Sequence, residues 1–231
     1  MEKKRICALA AQYQIQLGEK ELNDLSLYEE VLLEWNQRMN LTAITQADEI
    51  EVKHFLDSLI LAARTELKGA LVDVGSGAGF PGVVIKIHRP ELKVTLMEPT
   101  GKRVAFLQEL TNRLNLSVET VKERAEEAAR KQWREHYDIA TARAVAALPV
   151  LCEYCLPLVK PGGLFIAMKG EPRQEVESAK NAMFKLGGEL KEVIEFNLPD
   201  GSARSLIIVE KREATLPQYP RNGGVIAKRP L

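Results

Sequence analysis

This 231-residue chain lacks most of what would commit it to a membrane, a disulfide scaffold or a metal. No apolar run approaches the ~20 residues that a spanning helix needs. The opening Met1-Glu-Lys-Lys-Arg5 has none of the apolar core of a signal peptide, so a cytoplasmic location with no membrane partner is expected. Three cysteines are too few to staple a chain of this length. The three histidines, His54, His88 and His136, are too scattered to hold a metal, and none is expected. Net charge is also missing. Lys+Arg and Asp+Glu number 32 each, which argues against a whole-surface attraction for a polyanion.

What is present is an ordinary globular composition, 45% hydrophobic and 28% charged, long enough for one full core. Residues 1–66 read as helices. Leu22, Leu25, Leu32, Trp35 and Met39 recur at nearly helical steps. Asn40 and Thr42 suit the end of that helix, and Asp48 suits the cap of the next. From Leu71 the texture alternates. Strand patterns at Leu71–Val74, Val94–Met97, Ser117–Glu119, Asp138–Thr141 and Leu164–Met168 enclose helical stretches, notably Lys102–Leu114 and Pro149–Val159. A helix near Val176–Leu186 follows, then Leu190–Phe196 and Arg204–Lys211 across a Leu-Pro-Asp-Gly-Ser turn. The expectation is an α/β fold with about seven strands, the last pair antiparallel. A helical cap spans 1–66, a sheet core 67–212, and an irregular basic tail 213–231. Cys152 and Cys155 fall on one face of a helix and read as buried structural thiols.

The densest signal is Asp73-Val-Gly-Ser-Gly-Ala-Gly-Phe-Pro-Gly82. A short buried strand ends at Asp73-Val74. Gly75, Ser76, Gly77 and Gly79 then make a turn with little side-chain bulk, and Pro81 suits the first turn of a helix. Backbone can approach a ligand there, and a helix N-terminus offers free N–H groups. Filling the turn at Gly77 should abolish cofactor binding. Asp73 is placed to meet an amine or hydroxyl. Glu98 ends the second strand pattern, where a carboxylate can accept from both ribose hydroxyls. Glu123-Arg-Ala-Glu126 follows the third, with Ala125 N–H and the Glu126 carboxylate suited to an adenine edge. NAD and S-adenosylmethionine enzymes share these devices. Phe80, standing where an unshifted G-x-G-x-x-G needs its third Gly, speaks against NAD.

Other chemistries find no motif. There is no G-x-x-x-x-G-K-[ST], no G-x-S-x-G, no Pro-Cys, and no Asn- or Asp-Pro-Pro-Tyr after the fourth strand. The chain reads Thr141-Ala-Arg143-Ala at that last place. Residues 211–231 hold Lys211, Arg212, Arg221, Lys228 and Arg229 against Glu213, a local patch suited to phosphates.

Several motifs in order give the chain a resemblance to the RsmG (GidB) family, bacterial 16S rRNA guanine-N7 methyltransferases. They are Trp35-Asn-Gln-Arg-Met-Asn-Leu-Thr42, His54-Phe-Leu-Asp-Ser58, Asp73–Gly82, Gly101-Lys-Arg103, Arg124-Ala-Glu126, Thr141-Ala-Arg143-Ala-Val145, Met168-Lys-Gly170 and the Tyr219-Pro-Arg221 … Ala227-Lys-Arg-Pro-Leu231 tail. The resemblance implies a class I methyltransferase (Rossmann-like) sheet and S-adenosylmethionine as cofactor. It implies methylation of a guanine in the 530-loop region of 16S rRNA, nucleotide 527 in the family, with rRNA or the 30S subunit as partner and the protein a monomer. Gly75 and Phe80 would contact the cofactor, Gly77 and Gly79 shape the turn, and Glu98, Ala125 and Glu126 hold ribose and adenine. Arg143 would lie near the methionine end or the target base as a positioning group. Lys102, Arg103, Arg221, Lys228 and Arg229 would face RNA. Asn222-Gly-Gly224 departs from the more basic, proline-containing stretch common in the family. A cofactor-binding ribosome-assembly factor without catalysis and an NAD oxidoreductase are the alternatives.

Overall fold

A computed structural model describes all 231 residues. Before the first strand come α1 (Lys3–Gln12), α2 (Glu19–Asn36), α3 (Ala47–Ile50) and α4 (Asp57–Arg64). A six-residue π-helical turn, Glu51–Leu56, joins α3 to α4. α2 follows its period, burying Leu25, Tyr28, Val31 and Leu32. It stops at Asn36, short of Asn40, because the Asn36 side-chain oxygen accepts the N–H groups of Leu41 and Thr42 and turns the chain aside. Gln46, not Asp48, caps α3; Asp48 lies inside the first turn, where its charge suits the helix dipole.

The sheet half then runs β1 (Ala70–Val74), α5 (Gly82–His88), β2 (Lys93–Met97), α6 (Gly101–Arg113), β3 (Val118–Val121), α7 (Ala125–Ala128) and β4 (Tyr137–Arg143). After these come α8 (Leu148–Cys155), β5 (Val159–Lys169), α9 (Arg173–Lys185), β6 (Gly188–Asn197) and β7 (Ala203–Lys211). Strand order is β3-β2-β1-β4-β5-β7-β6, parallel from β1 to β5, with β7 antiparallel to both its neighbours. Pro81 caps α5 rather than opening it, and Pro157 sits in a 3-10 turn that ends the α8 run before Val159.

Side chains alternate across each strand. Leu71, Leu96, Ile139 and Ile166 enter one core with Ile6 of α1, Leu32 of α2, Leu59 of α4 and Phe106 of α6. The N-terminal helices therefore share a core with the sheet. Val72, Met97, Ala140 and Phe165 enter a second core on the opposite face, beside Leu151, Cys152 and Cys155 of α8 and Met183 of α9. Burial pushes both of those thiols up, which keeps them protonated and unreactive.

The tail departs from expectation by forming α10 (Gly223–Lys228). The Asn222 side chain accepts the Gly224 N–H as its cap, and Ile226 is fully buried. Arg130 and Arg134 pin the preceding segment by donating to the carbonyls of Pro220 and Tyr219.

After β3 the chain crosses β1 and β2 to add β4 on the far side of β1. The C-terminal ends of β1 and β4 thus flank the point where strand order reverses, the place where open α/β sheets bind ligands.

Candidate active site

The loop after β1 is fastened to β2: the N–H groups of Gly75 and Ser76 reach the Met97 carbonyl at 2.8 and 3.3 Å. Gly75 stands at φ +70°, and a Cβ there would lie 2.7 Å from Val145 Cγ2. Past β2, Glu98 is nearly fully buried. Its Oε2 accepts the Gly77 N–H at 3.0 Å and its Oε1 the Thr100 N–H at 2.9 Å. Past β3, Ala125 and Glu126 open α7, both buried. Gly75, Glu98, Ala125, Glu126 and Val145 line a single cleft of about 370 Å³, with Arg103 at its edge.

Other members of the glycine loop turn away from that cleft. Asp73 faces the N-terminal helices, because strand alternation sends Val72 and Val74 to the other side. Its Oδ2 accepts the Gly82 N–H at 2.9 Å, while its Oδ1 has no partner. Burial holds its carboxyl up at about 7, against the pull of the Gly82 N–H and Arg143. Through its bond to Gly82, Asp73 fastens the start of α5. The Phe80 ring is stacked between Tyr28 (4.9 Å, 6° between planes) and His54 (4.4 Å, 24°). Only its main chain is left to reach a cofactor. Ser76 donates to the Asp73 carbonyl, and Gly79 packs under the Tyr28 hydroxyl. At Gly77 a Cβ would meet nothing nearer than 3.7 Å, so its φ of +56°, rather than crowding, is what favours glycine there.

A second cavity, about 360 Å³, opens beside the first. β4 delivers Arg143 to it, followed by Ala144 at φ +55°, an uncommon conformation for a residue with a Cβ. Arg143 donates to the Lys53 carbonyl at 2.9 Å and to Asp57 Oδ2 at 3.3 Å, and its guanidinium lies 5.0 Å from the Phe80 ring centre. Its Nη2 is 3.2 Å from His54 Nδ1. The same Nδ1 lies 3.1 Å from the Lys53 carbonyl, and Nε2 lies 3.0 Å from Thr42 Oγ1. Burial, then the nearby Arg143 charge, lowers His54 to about 3, and the ring is neutral. Burial also raises Asp57, opposed by Arg143 and Arg204. Arg143 and Arg204 flank the Asp57 carboxylate, while Lys53, paired with Glu49, and Lys169, paired with Glu175, line the same cavity.

The π-helical turn explains how Lys53, His54 and Asp57 are displayed together, and such turns recur at functional sites. Residue spacing predicts neither that turn nor the arrival of Lys53 and Arg204 at one cavity. In the sequence His54, Asp57 and Ser58 read as cap residues that either complete the site or bond helix to core, and Met168–Gly170 is a motif without an assigned task. Ala144 lines both cavities and is their shared wall.

Of the residues expected on RNA, Lys102, Lys228 and Arg229 are exposed. Arg103 stands 3.9 Å from Glu98. Arg221 is a correction. Its guanidinium grips the fully buried Glu153 carboxylate at 2.6–3.1 Å, because an unpaired charge there would be costly, and this anchors the tail.

A parallel sheet closed by an antiparallel hairpin, with its cavities at the reversal of strand order, defines the class I methyltransferase fold. A methyltransferase from Pyrococcus furiosus superposes with a TM-score of 0.55 at 16% identity, covering 80% of this chain and 98% of its own. The M. jannaschii TYW2 structure in complex with AdoMet gives 0.52 at 14% identity, covering 67% and 76%. Sequence comparison narrows the class to a family. The model GidB, rRNA small subunit methyltransferase G, matches residues 21–206. The ribosomal RNA small subunit methyltransferase G of Acetivibrio thermocellus is 48% identical over 226 residues, 96% of this chain and 93% of that protein. The chain belongs to the GidB family of rRNA small subunit methyltransferases.

Proposed function

We propose that the chain methylates N7 of a guanine in the 530-loop region of 16S rRNA, holding the cofactor in the first cavity and the base in the second. The observation that carries this reading is the shared wall at Ala144, which sets a donor and an acceptor site side by side. The first cavity suits S-adenosylmethionine: glycine at position 75 keeps its wall free of a Cβ that would collide with Val145, and its acids suit hydroxyls and amines. Each Glu98 oxygen already takes one backbone N–H, and a carboxylate has about four lone-pair sites, so two stay free for ribose hydroxyls. On this reading Ala125 and Glu126 would hold the adenine, and Gly75 and the Phe80 main chain the methionine part.

When bound, the cofactor supplies an activated methyl: N7 gains the carbon as the carbon–sulfur bond breaks, the electron pair stays on sulfur, and the ring takes the positive charge. No proton leaves N7, so the chain needs no general base. Its task is alignment in a preorganised setting. Arg143, held by Lys53, His54 and Asp57, fixes the edge between the cavities. His54 stays neutral and adds no charge against the forming cation. Lys53, Lys169 and Arg204 attract backbone phosphates, with Lys102, Arg103, Lys228 and Arg229 further out.

The reading carries with it a cytoplasmic monomer acting on rRNA or the 30S subunit. Incubation with labelled cofactor and either substrate, then mapping of the modified nucleotide by mass spectrometry, tests it. Methyl at a guanine N7 is expected. Cofactor and 30S binding with no transfer to either substrate would leave a non-catalytic assembly factor instead.

A further inference from the structure

The C-terminal tail reaches the first cavity. Glu126 lines that cavity and is 6% exposed, and its carboxylate has no hydrogen-bond or ion-pair partner in the protein. Unlike the sealed Oδ1 atoms of Asp57 and Asp73, its oxygens keep accessible surface. Gly223, in the first turn of α10, packs against it. A Cβ at Gly223 would collide with Glu126 Oε1 and stand 3.1 Å from its Cδ. The φ of Gly223 is not positive, so the packing uses its missing side chain rather than its backbone freedom. The tail around it is fixed: Arg221 grips Glu153, Asn222 caps α10, and Ile226 is fully buried. Tyr154, next to Glu153 on α8, lines the same cavity. With the backbone so held, a methyl at position 223 would displace the carboxylate, the far end of a flexible side chain.

We propose that Gly223 is a positioning residue for the cofactor: its missing side chain lets α10 close against Glu126 and aims that carboxylate at the N6 amino group of adenine. The proposal rests on the reading that places adenine at Glu126. A carboxylate with one oxygen against α10 keeps the other for a donor, and N6 is the donor on the adenine edge. Three torsions separate the Glu126 carboxylate from its main chain. The contact with α10 narrows them before the ligand arrives, so less order has to be imposed on binding. The basic tail, expected on RNA, then also builds the cofactor site.

S-adenosylhomocysteine and its 6-deamino analogue isolate this contact, because the analogue carries hydrogen in place of N6 and keeps the N1 lone pair. Their affinities are compared by calorimetry. The wild-type protein should bind the analogue ten- to a hundredfold more weakly. In Gly223→Ala the affinity for S-adenosylhomocysteine should fall by about that factor, while the analogue changes less than about threefold and the ratio collapses. Gly224→Ala, whose Cβ would meet only Asn222 Oδ1 at 3.4 Å, should keep the wild-type ratio. A merely structural Gly223 would lower both affinities together. An intact ratio in Gly223→Ala overturns the proposal and leaves adenine at Glu126, and a collapse shared by Gly224→Ala overturns it as well. Equal wild-type affinities, or no binding of either compound, strike the adenine placement and the proposal together. Should a thermal melt show Gly223→Ala unfolded, amide exchange in the wild type decides, since coupling between two sites is reciprocal. Exchange across residues 223–228 should slow about threefold or more with saturating S-adenosylhomocysteine and less with the analogue. Equal slowing, or none, overturns the role.

Discussion

The two cavities meet at one residue yet are built on opposite principles. The first is made of neighbours. Gly75, Glu98 and Ala125 each lie just past a strand end, and the lining carries three acids, Glu98, Glu123 and Glu126, beside Arg103 and Arg124. The second is assembled from distant segments: the π-helical turn, the end of β4, the end of β5 and the start of β7. Its walls are cationic. The contrast follows the two ligands. A cofactor with hydroxyls, an amine and a positive sulfur favours acceptors, whereas a polyanion favours lysine and arginine. It also separates what any enzyme using this cofactor needs from what one nucleic-acid target needs.

Substitutions can break or sharpen that division. The largest effect is expected at the boundary. Arg143→Ala should lower methyl transfer roughly a thousandfold, since it removes the group that aligns the two sites and strands the buried Asp57. Cofactor affinity by calorimetry should change less than about tenfold; a larger loss would move Arg143 to the cofactor side. Next comes Gly75→Val, which meets Val145 at close range in a left-handed conformation and should weaken cofactor binding at least about a hundredfold. Gly77→Val meets the same left-handed strain but has open space, so it should cost less than Gly75→Val, and equal losses would contradict the crowding argument. On the RNA side, Arg204→Ala should weaken RNA binding about tenfold and lower the salt slope by roughly one phosphate, leaving cofactor affinity alone. An unchanged slope would remove Arg204 from the RNA path.

The smallest effect concerns pH. Asp73 holds its proton in the fold up to about 7, whereas an unfolded carboxylate releases it near 3.8. The Asp73 contribution to stability therefore declines as pH climbs from about 4 to about 7 and then levels. Asp73→Asn should gain a few degrees of melting temperature on the wild type across that window, and run parallel above it. His54 works in the other direction, destabilising the fold as pH falls below about 6.5, but both proteins share it and it cancels. A constant gap from pH 4 to 8 would show that Asp73 is ionised throughout.

The two principles also govern how far the sequence could be read. Strand ends followed by Gly75, Glu98 and Ala125 are local patterns, and the structure brings all three into one cleft. Seven strands with a final hairpin followed from alternation and one turn signal. Where a residue points was less legible. Asp73 and Phe80 belong to the glycine motif, yet strand alternation and an aromatic stack aim them at the N-terminal helices. Arg221 looked like a surface cation because nothing in the chain announces that Glu153, 68 positions earlier, is buried opposite it. The cationic cavity was invisible as a unit, since no periodicity links Lys53 to Arg204.

Tyr28 sits on α2, yet its hydroxyl donates to the Ala78 carbonyl at 2.6 Å and its ring covers Phe80. One phenol thus ties the N-terminal helices to the first cavity, which they do not line. A fragment trimmed to begin at β1 would bare the apolar underside of its sheet and release the hinge of its own glycine turn.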